Sequence, residues 1–274
     1  MSSVGDSSGT GIEETLIGEL EPLIAAKLKA AFAAVMAEAK SLLRTGTVKA
    51  DKPPVVRHEF TVDAFTDALY GAARRELQLL PQVVRDALEK AALAGVGHGA
   101  SAINLEDLEP VQSSLGEAKD YAAARSAEMV GMKRTAGGEL AENPSARWAI
   151  TETTRNDLRQ AIEETLDSKL PIKALRQAIE DAGTFSPERA AMISRTEVKL
   201  AMSHGNNAIW KKSGVVEKVG WLLGQNPCLI CIGNSETTVD LGKMFPGGVE
   251  YPPQHPNCNC TTYAAKLKNA GKVQ

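Results

Sequence analysis

All four cysteines of this chain fall between positions 228 and 260, in two short stretches, "PCLIC" at 227–231 and "YPPQHPNCNC" at 251–260. Cys228 and Cys231 form a C-x2-C pair, the spacing that lets two thiolates reach one metal ion at about 2.3 Å each. Cys258, Cys260 and His255 offer three more donors, so five candidates stand for four tetrahedral positions. On a flat strand the two C-x-C side chains point the same way but sit roughly 6.5–7 Å apart, too far for one shared ion. Pro252, Pro253 and Pro256 supply the expected bend, or His255 replaces one of the two thiols. Two disulfides or four buried thiols are the alternatives. Disulfides are rare in reducing compartments, and scattered core cysteines would not cluster in this way.

Zinc, one per chain and structural, is therefore the expected cofactor, because a full set of protein donors leaves no open position for water. The compartment inference follows from the rest of the chain. No run of about 18 apolar residues exists, and the start "MSSVGDSSGTGIEE" lacks a basic n-region and an apolar h-region, so no membrane span or secretory signal is expected. Aromatic residues are only 4% of the chain, and alanine is abundant, which favours helices over sheets. Net charge is −3, with −5 on residues 1–150 and +2 on 151–274, a balance that argues against a strongly basic nucleic-acid binder.

Periodicity places helices along most of the chain. After a Gly/Ser-rich leader (1–20) expected to be disordered, Pro22 fits a first helical position, and Leu23, Ile24, Leu28, Phe32, Val35 and Met36 make an apolar stripe that ends at Gly46. The prolines of "TVKADKPPVVRHEF" mark a linker, and Thr61 is placed to cap a helix carrying Val62, Phe65 and Leu69, which Pro81 restarts or kinks. The glycines of "AGVGHGASAIN" predict a break, followed by a helix through Tyr121, Arg125 and Met129 and a joint at "RTAGGELAENP". Ile150, Thr154, Leu158, Ile162 and Leu166 recur at helical spacing. Pro171 opens a short helix with Ile172, Leu175 and Ile179, ending at Gly183, and Ser186-Pro187 starts a longer one that runs to about Gly214. One strand is expected at "VVEKVGWLL", with Val215, Val219, Trp221 and Leu223 on one side. The fold class is mainly α, with a small β element and a zinc knuckle in the C-terminal domain.

No catalytic constellation emerges. "PCLIC" matches half of the zinc deaminase signature, but none of His58, His98 or His204 has a glutamate two residues later, and there is no H-E-x-x-H, Walker loop or G-x-S-x-G. The chain is therefore read as a non-enzyme, with no catalytic residue and no organic cofactor. On the helix after Pro187, Ile193, Glu197, Leu200, Ala201 and His204 share a face, which sets a carboxylate on an apolar stripe. Glu197 either reaches water from an edge or is buried against loop amides, Arg195 or Arg189.

Taken in order, "ERAAMISRTEVKLAMSHGNN", "VGWLLGQNPCLIC" and "YPPQHPNCNC" resemble the Mu F-like domain of tailed-phage head morphogenesis proteins, also called minor head or minor capsid proteins. The resemblance covers roughly residues 145–263. It sets the family's R-T-E on Arg195, Thr196 and Glu197 as a structural motif, and its closing P-x-H-P-x-C-x-C on Pro253, His255, Pro256, Cys258 and Cys260. The family often has a basic residue where this chain has Asn259.

The organisation this implies is a leader (1–20), a variable helical region (21–145), a Mu F-like head morphogenesis domain (146–265) and a tail (266–274). It further implies a low-copy component of the virion, made in the host cytoplasm and placed in the capsid interior at the portal vertex, active in head assembly and genome packaging or ejection. Its expected partners are the portal protein, scaffold or major capsid protein, and packaged phage DNA, with no membrane. The alternatives are a zinc-stabilised nucleic-acid-binding module and a virion-delivered effector enzyme. Enzyme fusions in this family add a C-terminal domain, whereas this chain stops soon after Cys260.

Overall fold

A computed structural model of the chain describes residues 7–44, 62–105, 107–167 and 174–268. The structure is mainly helical with short antiparallel strands. The helices are α1 (Ser7–Arg44), α2 (Val62–Leu77), α3 (Leu80–Ala102), α4 (Leu108–Glu128), α5 (Ile150–Asp167), α6 (Leu175–Asp181), α7 (Pro187–Ser213) and α8 (Leu229–Ser235). The strands are β1 (Met132–Arg134), β2 (Leu140–Glu142), β3 (Val216–Leu222), β4 (Thr238–Asp240) and β5 (Thr261–Leu267). No described helix is long and apolar enough to cross a membrane. Gly46, the linker after it, Thr61, Pro171, Ile172 and the tail beyond Lys268 lie outside the described residues, as does the side chain of Leu166.

The described residues gather into two compact units, and these are not consecutive in sequence. One draws on residues up to Leu20, Arg85–Ala123 and Met192 onward; the other on Glu21–Val84 and Ala124–Ala191.

In the second of these units, α5 buries Ile150, Thr154, Leu158 and Ile162, the stripe read from its spacing. It lies along α2, whose Phe65 and Leu69 are buried, and ion pairs from Arg155 to Asp67 (2.9 Å) and from Arg159 to Asp63 flank the contact. Arg189, in the first turn of α7, is largely buried and donates to the Thr184 carbonyl, Thr153 Oγ1 (2.6 Å) and Thr154 Oγ1 (3.2 Å), with Asp157 at 3.7 Å. Burial lowers its pKa and Asp157 opposes that, and the protein oxygens around it meet the hydrogen-bonding needs of the buried guanidinium. Ser186 caps α7 as expected, its Oγ accepting from the Arg189 amide at 3.1 Å. The joint expected at "RTAGGELAENP" is an antiparallel hairpin, β1 on β2, turning at Gly138 (φ +83°).

Two expectations are overturned in the other unit. The leader expected to be disordered is helical from Ser7, so Pro22 lies inside α1 rather than at its start. Leu16 and Leu20 are buried, and ion pairs Glu13–Lys199 (2.8 Å) and Glu19–Lys90 (2.7 Å) hold this turn-rich stretch as helix. Nor do the glycines at 95–99 break the chain, because α3 continues to Ala102. They let α3 approach α7: a Cβ on Gly95 would lie 2.0 Å from the Met202 carbonyl oxygen, and one on Gly205 would lie 1.9 Å from that of Ala92. The chain turns only at Ile103–Asn104, where Asn104 takes φ +50°.

That crossing lies beside a core of Val96, Ile103, Ile209, Trp210, Val216, Val219, Trp221 and Phe245, together with Cys231, Cys258 and Cys260. Trp210 Nε1 donates to the Gly99 carbonyl at 3.0 Å, satisfying a buried indole. The sheet order is β4-β3-β5, all antiparallel. The expected strand is β3, but irregular register around Lys218 turns Val216 inward in place of Val215, and Leu222 and Leu223 are exposed. Opposite Gly220, Tyr263 lays its ring where a Cβ would stand.

Candidate metal centre

β3 leads into a loop that ends at Cys228, the N-cap of α8. Its Sγ accepts from the Cys231 amide at 3.4 Å, which holds the Cys228 sulfur over the first turn of α8, within 4.8 Å of the Cys231 sulfur. The return half-site is a tight loop. Pro252–Pro253 is cis, the Cys258 amide donates to the His255 carbonyl at 3.1 Å, and Asn257 sits at φ +62°. This bend answers the strand-spacing difficulty, because the Cys231, Cys258 and Cys260 sulfurs lie within 4.8 Å of one another.

Cys228, Cys231 and the His255 imidazole form a second triad within the same limit, and Cys231 belongs to both. All four cysteines are free thiols. Cys231 Sγ and Cys258 Sγ are 3.7 Å apart, about the edge of a tetrahedron with 2.3 Å metal–sulfur bonds and far beyond a disulfide. His255 Nδ1 lies 2.9 Å from the Pro256 carbonyl, which only accepts, so Nδ1 carries the proton and Nε2 is the nitrogen left for a metal.

The two thiols of the C-x2-C differ in their electrostatics. Burial pushes the Cys231 thiol well above its ordinary range, with the neighbouring Cys228 adding to the rise. Cys228 moves the other way, lowered first by the Cys231 amide that bonds its sulfur and also by His255. A dry cluster of thiols gains most from a bound ion, which deprotonates coordinating sulfur outright. The five side chains fit a structural metal.

The R-T-E motif serves this loop. Arg195 Nε donates to Asn257 Oδ1 at 3.0 Å, and Thr196 Oγ1 accepts from the Asn257 amide at 2.9 Å. Two consecutive residues of α7 thereby fix the left-handed turn that presents Cys258. Glu197, next in the motif, is buried at 3% exposure and engaged within the protein, which excludes the edge position that would leave it in water. Glu197→Gln keeps the shape and removes the charge; thermal melting is expected to show a loss of roughly 1.5–3 kcal/mol, whereas an unchanged melting temperature would show that the charge has no buried partner.

Sequence reasoning missed two supports of the centre. Asn257 was passed over between two ligands, although an asparagine before Cys is a common left-handed turn residue. Asn234, fully buried on α8, accepts from the Gly247 amide (2.7 Å) and donates to Gln254 Oε1 (3.2 Å), while Gln254 Nε2 donates to the Gly247 carbonyl (3.1 Å). This closed circuit fastens α8 to the loop that carries His255.

Fold and site together define a mainly helical protein whose C-terminal thiol cluster is compatible with a structural metal. No family model, curated protein or solved structure matches the chain.

Proposed function

We propose that this chain is a phage minor head protein, a low-copy component of the capsid interior that acts at the portal vertex in head assembly and in genome packaging or ejection. In this reading its cluster holds one structural zinc, which serves shape rather than chemistry. The observation that supports it is the convergence of the three resembling blocks. The R-T-E helix bonds the turn just before the closing cysteines through Asn257, and the C-x2-C stands within ligand distance of the same loop. A motif spread over α7, α8 and a distant loop thus behaves as one structural device. The portal protein is the partner proposed first, with scaffold, major capsid protein and packaged DNA as further contacts.

The test uses the full chain, because a cut near residue 145 would remove α3 from its close approach to α7. Quantitative mass spectrometry of purified virions is expected to find the protein at about portal abundance, and co-expression with the portal of the same phage is expected to recover a complex. Absence from virions together with failure to bind portal or scaffold would overturn the reading. Presence in virions with transfer into the host would favour the effector alternative, and retention on DNA in the absence of virion proteins would favour the nucleic-acid module.

A further inference from the structure

Away from the metal centre, the described residues hold one partly buried imidazole with an unmatched nitrogen. His204 projects from α7, and Tyr121 of α4 stacks on its ring, with centroids 4.1 Å apart and planes 17° apart. On another side Tyr251, from the loop leading into the metal-binding residues, approaches edge-on at 6.2 Å, and its hydroxyl lies 3.1 Å from His204 Nδ1. Nε2 is buried with no hydrogen-bond partner.

The charged groups around the ring are already committed. Glu117 of α4 pairs with Lys212 at 3.8 Å, and Glu250 of the loop pairs with Lys211 of α7 at 2.6 Å. In either neutral tautomer the imidazole meets the single partner at Nδ1. The imidazolium carries two N–H donors and a charge, and the packed arrangement serves only one of the donors. Nothing in the packed arrangement accepts from Nε2, so protonation strands a buried N–H donor together with a charge, and exposing the ring to water relieves both.

We propose that His204 is an acid-actuated latch, tying α4 and the 250–256 loop to α7 while the ring is neutral and releasing them when it becomes an imidazolium. Burial, the largest influence, lowers the pKa of His204; Lys211 acts with it, and Glu117 and Glu250 act against it. The sign follows from linkage. Because the folded form binds its proton less readily than the unfolded chain, the closed state is favoured above about pH 6.5 and loses ground as pH falls below it.

Hydrogen exchange on the zinc-loaded full chain, corrected for the intrinsic effect of pH, tests this at residues 117–123 and 250–256. Between pH 7.5 and pH 5.5 the wild-type amides are expected to become less protected, by at most roughly tenfold. His204→Phe keeps the stacked ring without the titration, and its protection is expected to change little over the same range. An equal response in both proteins would assign the pH effect to other groups and overturn the latch, as would no response in the wild type. If His204→Phe does not fold, an NMR titration of the wild-type imidazole decides. A midpoint clearly below about 6.5 supports the latch, and one at or above it overturns it.

Discussion

Removing zinc with a chelator under reducing conditions, or replacing Cys231 by serine, is expected to unfold the segment from Cys228 to Cys260 and to lower the melting temperature sharply. Phe245 and the bonds from α7 anchor the loop of this segment, but its secondary structure is slight. α8 has seven residues, too short for independent helicity, and it turns Leu229 (85% exposed) and Ile230 (53%) outward, so hydrophobic burial gives it little support. β4 adds three residues. Against this, zinc ligation in small domains supplies apparent energies of about 10–16 kcal/mol, several times what a native disulfide gives. Cys231 is the position whose loss breaks both candidate donor triads, and so Cys231→Ser is expected to be more damaging than His255→Ala. Hydrogen exchange should report loss of protection from 228 to 260, with α5 as an unaffected internal reference. Metal analysis that finds no zinc in reduced, fully folded protein would defeat the proposal, and so would unchanged melting after verified removal of zinc.

The thiol cluster was legible because its information is local. Two cysteine pairs and a histidine among prolines carry their chemistry in their spacing, and the structure brings all five together. The helices α2, α5 and α6 were legible for the same reason: Leu69, Leu158, Ile162, Leu175 and Ile179 repeat with the helical period and are buried. What failed to show was set by tertiary context. β5 has the burial pattern eBeieee, with Thr262 its one buried residue, so no alternation marks it as a strand. It forms because β3 offers a partner edge. α8 buries only Cys231 and Asn234, and it exists to serve the knuckle and the Asn234 circuit rather than an apolar face. At α1 two signals competed. The proline at 22 argued for a start, while Leu16, Leu20, Ile24 and Leu28, spaced by four and all buried, argued for continuity; burial prevailed. The glycines of α3 show the same conflict, since a residue that weakens an isolated helix is here what lets two helices touch.

That last point yields an expectation with opposite signs inside one helix. Gly95→Ala and Gly205→Ala should each destabilise the protein strongly, by about 3 kcal/mol or more, at the upper end of overpacking costs. The added methyl would meet the backbone oxygens of Met202 at 2.0 Å and Ala92 at 1.9 Å, and a backbone oxygen cannot swing aside as a flexible side chain can. The two helices would have to separate by about 1 Å or more to restore ordinary contact. Separation would stretch the Trp210–Gly99 hydrogen bond and loosen Val96 and Ile209, so the penalty spreads into the core that backs the metal centre. Gly97, two residues from Gly95 on the exposed side of α3, has nothing within 4 Å of its added Cβ. There the same substitution removes only glycine's excess freedom in the unfolded chain, and Gly97→Ala is expected to stabilise by about 0.5–1 kcal/mol. Melting temperatures of the three variants decide the matter: if Gly95→Ala and Gly205→Ala melt no lower than Gly97→Ala, α3 and α7 do not cross at their glycines.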